Sequence, residues 1–289
     1  MAHPKRIANP RGARACRAGR SGHLRKWLLA LAAVAALAGL FLYLWVGGRL
    51  TANSTDEARA AIVDQLSLTE PNPAFVDKAT DMLEQAGYSV DYYPGEKVTV
   101  DFYRELPSLG YELLIMRVHS AVPGKDLAIQ STVAQATLER ILASIGEDAL
   151  LFTSEPLDET KYVNERKALR VFPVHYYGDD PQREYFAVTS EFVRRSMRGQ
   201  FDNATIVLMG CSGLAFDRTA AALQERGAGP VIGWSGLVSA AHTDAATERL
   251  LQHLLIDGLR TQDAVARTAQ EVGPDPKYGS TLLVHASGG

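Results

Sequence analysis

The chain has 289 residues, of which 46% are hydrophobic and 22% are charged. This composition is close to that of an average soluble protein and excludes a collagen-like or a disordered chain. With two cysteines, Cys16 and Cys211, the sequence also excludes a disulfide-held scaffold and a zinc site built from paired cysteines.

The first segment of the chain, residues 1–26, is strongly basic. It holds eight of the 30 Lys and Arg residues and no Asp or Glu, which leaves 22 basic against 33 acidic residues in the rest of the chain. We interpret this segment as a cytoplasmic tail beside anionic lipid, with nucleic-acid binding by the tail as the weaker alternative. The acidic remainder disfavours a nucleic-acid partner.

An uncharged, apolar stretch follows at residues 27–46. A helix of about 20 residues spans the hydrocarbon layer of a bilayer, and Trp27 and Trp45 stand where interfacial aromatic residues are enriched. We therefore predict a single-pass protein of the cell membrane, with its N-terminus in the cytoplasm and the chain after residue 46 on the far side. A cleaved signal peptide is the alternative, although its apolar region usually has about 7–15 residues.

The polar composition of residues 47–71 predicts a tether, which places the folded domain at residues 72–289. Asn72 and Pro73 are typical of a helix start, and this helix is expected to end at Gly87. Further helices are expected over 133–145, 186–197, 217–227, 244–257 and 261–272, and strands over 88–93, 111–119, 150–153, 169–175, 204–209, 231–234 and 281–285. This alternation, with several strands apolar throughout, predicts an α/β domain whose mainly parallel sheet carries helices on both faces.

Two reactive side chains follow predicted strands: His119 closes one strand, and Cys211 follows another after one glycine. In open parallel sheets, functional groups gather at the carboxyl ends of the strands. Gly210 and Gly213 allow a tight turn that brings backbone N–H groups near the sulfur. A thiol beside an imidazole that removes its proton meets the minimal requirement for covalent acyl transfer. A packed cysteine and a strand-capping histidine are the structural alternative.

Three segments carry a family resemblance: the His119–Ser120 pair after a strand, residues 208–214 (Leu-Met-Gly-Cys-Ser-Gly-Leu) and residues 230–236 (Pro-Val-Ile-Gly-Trp-Ser-Gly). Their order resembles the caspase-like cysteine peptidases, in particular the separase and CHAT-domain branches, over residues 88–285. The resemblance implies a caspase-like fold, His119 as general base or acid, and Cys211 as nucleophile. It also implies an oxyanion hole made of the Ser120 and Cys211 N–H groups, although family members usually have glycine in place of Ser120.

Together with the predicted membrane helix, the resemblance implies a membrane-anchored cysteine endopeptidase that cleaves protein or peptide substrates through a thioester intermediate, without a metal or a cofactor. The alternative is a catalytically inactive caspase-like domain that binds a protein or a ligand outside the cytoplasm. The sequence contains no lipase nucleophile motif, phosphate-binding loop, dinucleotide turn or HExxH zinc motif.

Glu155 and Asp244 are candidates for substrate selection, because a carboxylate near the bound substrate would select Lys or Arg. For Asp244 the alternative is N-capping of the helix over 244–257, and for Glu155 it is an exposed surface position. Of two further histidines, His175 is more typical of a packed or surface residue, whereas His242 could reach the site from the next strand end. Trp234 is expected in the core, with a place in a pocket wall as the alternative.

Overall fold

The computed structural model describes residues 58–126, 135–176 and 183–286. The basic tail at 1–26, the predicted membrane helix at 27–46 and Cys16 lie outside these residues. Within the described ranges, no helix combines the length and the hydrophobicity that crossing a bilayer requires.

A six-stranded sheet forms the centre of the fold. Numbered along the chain, its strands lie in the spatial order β10 (Leu282–His285), β9 (Val231–Trp234), β8 (Thr205–Leu208), β3 (Leu113–Arg117), β1 (Arg59–Asp64) and β2 (Ser89–Pro94). In this sheet, each neighbouring pair among β2, β1, β3, β8 and β9 is parallel, and β10 is antiparallel to β9. The prediction of an α/β domain with a mainly parallel sheet is confirmed.

Helices flank the sheet because successive residues of each buried strand point to opposite faces. The helices are α1 (Pro73–Gln85), α2 (Val100–Glu105), α3 (Gln135–Ile145), α4 (Val163–Lys167), α5 (Ser190–Arg195), α6 (Arg218–Glu225), α7 (Ala240–Leu251) and α8 (Thr261–Val272). On one face, Ala61 and Val63 of β1 share a core cluster with α5 and α6. On the other face, Ala60 and Ile62 share a cluster with α1, α7 and α8.

The predicted start of the first helix is confirmed. Pro73 is its first helical residue, and the side-chain oxygen of Asn72 accepts the Phe75 N–H at 3.2 Å. Gly87 follows the helix with a φ of 92°, a backbone conformation that favours glycine. Local capping chemistry therefore sets both ends of this helix.

The prediction that residues 47–71 form a tether is wrong for their second half, because Arg59–Asp64 is the strand β1. This strand pairs with both β2 and β3, and its residues Ala60 to Val63 are 0% exposed. Its apolar run lies between Arg59 and Asp64 and is too short to show a period. The folded domain therefore begins by Arg59 rather than at residue 72.

A second, four-stranded sheet was not predicted. Its order is β4 (Ser120–Ala121), β5 (Leu150–Pro156), β7 (Tyr185–Val188) and β6 (Val171–Val174), and the strands pair antiparallel. The predicted helix over 186–197 is wrong at its beginning, since its first residues belong to the buried strand β7. The helix α5 starts at Ser190, where the Thr189 hydroxyl oxygen accepts the Phe192 N–H at 3.3 Å.

Candidate functional site

His119 and Cys211 follow two neighbouring strands of the large sheet. Because β3 and β8 pair in parallel, both residues lie at the same carboxyl edge. The two turns touch, since the Ser120 hydroxyl donates to the Cys211 carbonyl oxygen at 2.6 Å. A Cβ on Gly210 would lie 2.3 Å from the Val118 carbonyl oxygen, so this close approach requires glycine. The fold thus brings the backbones of the two predicted dyad residues together.

The turn around Cys211 contains a residue with a positive φ, Ser212, at 56°. The Ser212 side chain is 0% exposed, and its N–H donates to the Gly236 carbonyl oxygen at 2.7 Å. The turn is therefore tied to the loop that follows β9.

Cys211 is partly exposed, and its thiol contacts Val238 in that loop. The Val238 N–H lies 3.4 Å from the sulfur, and the Val238 carbonyl oxygen lies 3.5 Å from it. Burial raises the pKa of the Cys211 thiol, the Val238 N–H lowers it by less, and the Asp126 and Asp275 carboxylates raise it further. The thiol is consequently protonated at neutral pH, and a nucleophilic role requires a base to remove its proton.

The segment before Asn72 and the small sheet hold His119 in place. The His119 backbone N–H donates to the Gln65 side-chain oxygen at 2.9 Å, and Nε2 lies 2.9 Å from the Thr69 hydroxyl oxygen. The ring centroid lies 5.2 Å from that of Tyr176. Burial, and after it the positive charge of Arg117, lower the pKa of His119 to about 4. The imidazole is therefore neutral at pH 7, in the form that accepts a proton.

Asp244 lies inside α7, which begins at Ala240, so the prediction that it caps this helix is wrong. Its two carboxylate oxygens lie 2.8 and 2.9 Å from Nε and Nη2 of Arg117. Arg117 also binds Asp64, with 2.8 Å between Nη1 and the carboxylate. Asp64, Arg117 and Asp244 are 1%, 1% and 3% exposed, so they form a buried charge triad. A role for Asp244 in substrate selection stays a prediction.

Glu155, on β5, is 9% exposed, which rules out the exposed position considered for it. Its carboxylate accepts the Val100 N–H at the start of α2 at 3.2 Å and pairs with Lys161 at 2.8 Å. The Tyr162 hydroxyl donates to it at 3.1 Å. These contacts connect β5 to α2 and to the loop after β5, and the role of Glu155 in substrate selection also stays a prediction.

Two other candidate histidines contact residues outside the proposed dyad. His175 Nε2 lies 3.4 Å from the Glu184 carboxylate, and His242 Nε2 lies 3.3 Å from the Gly273 carbonyl oxygen. Trp234 is 1% exposed and belongs to the core. Across residues 58–126, 135–176 and 183–286, no three His, Cys, Asp or Glu side chains are placed to hold a metal ion.

Sequence reasoning missed Gln65 and Thr69 because both lie in the segment interpreted as a tether. It missed Val238 because its backbone, not its side chain, meets the sulfur. Comparisons with protein-family models and with curated proteins found no match to the chain.

Replacing His119 with glutamine (His119→Gln) should make the folded unit less sensitive to acid. The pKa of about 4 in the folded state lies below the ordinary value of 6.5, so the unfolded chain binds more protons between these two values. The contribution of neutral His119 to the free energy of unfolding is fully present above pH 6.5 and is lost as the pH falls toward 4. We expect wild type to lose about 2–3 kcal/mol more than His119→Gln between pH 7 and pH 4.

Urea denaturation of the compact unit Glu57–Gly289 at the two pH values measures this difference. Equal losses in the two proteins would show that protonation of His119 does not contribute to acid sensitivity.

Proposed function

We propose that this chain is a membrane-anchored cysteine endopeptidase of caspase-like fold, with His119 and Cys211 as its catalytic dyad. One observation carries the proposal: both residues follow adjacent parallel strands, β3 and β8, at one edge of the sheet. The hydrogen bond between Ser120 and the Cys211 carbonyl oxygen supports it, because it joins the two turns. The partial exposure of Cys211 supports access by a substrate.

In the proposed reaction, the neutral imidazole of His119 takes the proton of the Cys211 thiol as the sulfur attacks the substrate carbonyl carbon. The carbon–nitrogen bond breaks when His119 returns this proton to the leaving amine. Water, deprotonated by the same imidazole, then attacks the thioester carbon. The carbon–sulfur bond breaks, and His119 returns the proton to the departing sulfur, which restores the thiol. The low pKa of His119 and the raised pKa of Cys211 favour this sequence over a preformed ion pair.

In the proposed mechanism, the contact with Thr69 determines which ring nitrogen of His119 carries the hydrogen. Its hydroxyl oxygen lies 2.9 Å from Nε2 and can accept the Nε2–H bond. In that tautomer the lone pair of the neutral ring is on Nδ1. We assign the transfer of the thiol proton to Nδ1.

The proposed oxyanion hole uses the N–H groups of Ser120 and Cys211. Its support is the close approach of the two backbones: the position of a Cβ on Gly210 lies 3.0 Å from the Ser120 nitrogen. Two N–H groups aimed at one oxygen stabilise the charge that develops in the transition state. Serine in place of the usual glycine keeps the backbone donor.

A catalytically inactive domain that binds a protein or a ligand is the second candidate. The raised pKa of the Cys211 thiol favours it, because a protonated thiol is a weak nucleophile.

Acylation by a peptide thioester distinguishes the two functions. In the full-length chain carrying Cys16→Ser, we expect Cys211 to be acylated at least tenfold faster than in the same chain unfolded in urea, since only the folded chain supplies a base. Adding Cys211→Ala should abolish labelling, which mass spectrometry of the intact protein would detect. A folded chain that is not acylated at any pH from 5 to 9 would exclude the peptidase and leave the binding domain.

A further inference from the structure

A short turn, Asp275–Ser280, lies between α8 and β10 and packs against the loop after β9. It is closed by two backbone hydrogen bonds: the Asp275 N–H donates to the Ser280 carbonyl at 2.8 Å, and the Gly279 N–H donates to the Asp275 carbonyl at 2.7 Å. This turn has no part in the mechanism described above. It nevertheless reaches the loop that carries Val238, the residue in contact with the Cys211 sulfur.

The turn holds the residues on both sides of Val238. Before it, the Ser280 hydroxyl donates to the Leu237 carbonyl oxygen at 2.5 Å. After it, one carboxylate oxygen of Asp275 accepts the Ser239 N–H at 2.9 Å and the Ser239 hydroxyl at 2.7 Å. With both neighbours held, the peptide groups of Val238 have little freedom to move away from the sulfur.

Asp275 is suited to this role because it is itself fixed. It is 1% exposed, and its second carboxylate oxygen accepts the Lys277 and Tyr278 N–H groups at 2.9 and 2.8 Å. Burial raises the pKa of Asp275, but its hydrogen bonds from Ser239, Tyr278 and Lys277 outweigh burial and bring the pKa to about 2. The carboxylate is therefore ionised and fully hydrogen-bonded at neutral pH.

We propose that Asp275 is a positioning residue of the dyad, which together with Ser280 holds the Val238 N–H against the Cys211 sulfur. The inference rests on the proposed function. The two peptide groups of Val238 then interact with the Cys211 sulfur in its two protonation states, thiol and thiolate. The carbonyl oxygen faces the thiol before proton transfer, and the N–H stabilises the thiolate that forms when His119 takes the proton.

The sign of the change in the Cys211 pKa separates positioning from simple charge. As a negative charge, Asp275 raises the pKa of the thiol, so loss of its charge alone lowers that pKa. As a positioning residue, it keeps in place the N–H that lowers the pKa, so loss of positioning raises it. Ser280 carries no charge, and its loss acts through positioning alone.

The test measures the rate of Cys211 alkylation by iodoacetamide against pH, in the full-length chain carrying Cys16→Ser. Asp275→Ala and Ser280→Ala should each raise the thiol pKa by about 0.5–1 unit and slow alkylation at pH 7 by about three- to tenfold. The matched control is Asp126→Asn, which removes a charge that raises the thiol pKa without touching the turn. It should lower the pKa.

A fall in the pKa for Asp275→Ala, or an unchanged pKa for Ser280→Ala, would overturn the inference. If Asp275→Ala does not fold, Ser280→Ala decides, since it removes one hydrogen bond and no charge. Alkylation by iodoacetamide needs no catalysis, so this result is separate from the peptide-thioester test. A chain that shows the expected pKa shifts but is not acylated would refute the peptidase and not the contact between Val238 and the sulfur.

Discussion

Arg117→Met should lower the free energy of unfolding of the unit Glu57–Gly289 by about 3–5 kcal/mol. Arg117 is the cation between Asp64 and Asp244, and its Nη2 also donates to the Glu70 carbonyl oxygen at 2.7 Å. Methionine has a similar volume but no charge, so two carboxylates would stay buried without their cation. Burying a charge without a partner costs far more than an exposed ion pair contributes. Urea denaturation at pH 7 measures the loss.

The control for this prediction removes the two buried carboxylate charges as well as the cation. In the Arg117→Met background, Asp64→Asn together with Asp244→Asn should restore part of the lost stability, because neutral amides cost less to bury. A loss below about 1 kcal/mol, unchanged by the asparagine substitutions, would mean that the triad contributes little to stability.

His119→Ala should slow acylation of Cys211 by a peptide thioester by about 10²–10⁴-fold at pH 7. The expectation follows from the protonation states: the thiol needs a base, and the neutral imidazole of His119 is the base we assign. In wild type, the acylation rate should rise as the pH passes about 4, where His119 loses its proton, and then stay level to neutral pH. Stopped-flow release of the thiol leaving group gives the rate at each pH.

The matched control is His175→Ala. This histidine follows β6, and its Nε2 lies 3.4 Å from Glu184, so the variant should keep the wild-type acylation rate and pH profile. A His119→Ala variant that is acylated as fast as wild type would remove His119 from the mechanism, even if Cys211 proved to be reactive.

Much of the fold follows from local patterns that the sequence displays. The strands β3, β8 and β9 were predicted because burial on both faces demands unbroken apolar runs. The helix α8 was predicted with the bounds that the structure shows, Thr261–Val272. The placement of His119 and Cys211 at strand ends follows from the same patterns, since a parallel sheet brings its carboxyl ends to one edge.

Other features follow from contacts between distant parts of the chain, which no local pattern encodes. The strand β1 is central because it pairs with β2 and β3, although its own apolar run is short. The local sequence predicts that Asp244 caps a helix. In the structure it pairs with Arg117, because the packing of helix against sheet brings these two residues together. The contact between Val238 and the sulfur depends on backbone groups that every residue possesses. The reactive pair can be predicted because a thiol and an imidazole are chemically distinctive side chains. The groups that hold this pair cannot be predicted from local sequence, because they depend on which segments lie side by side in the folded chain.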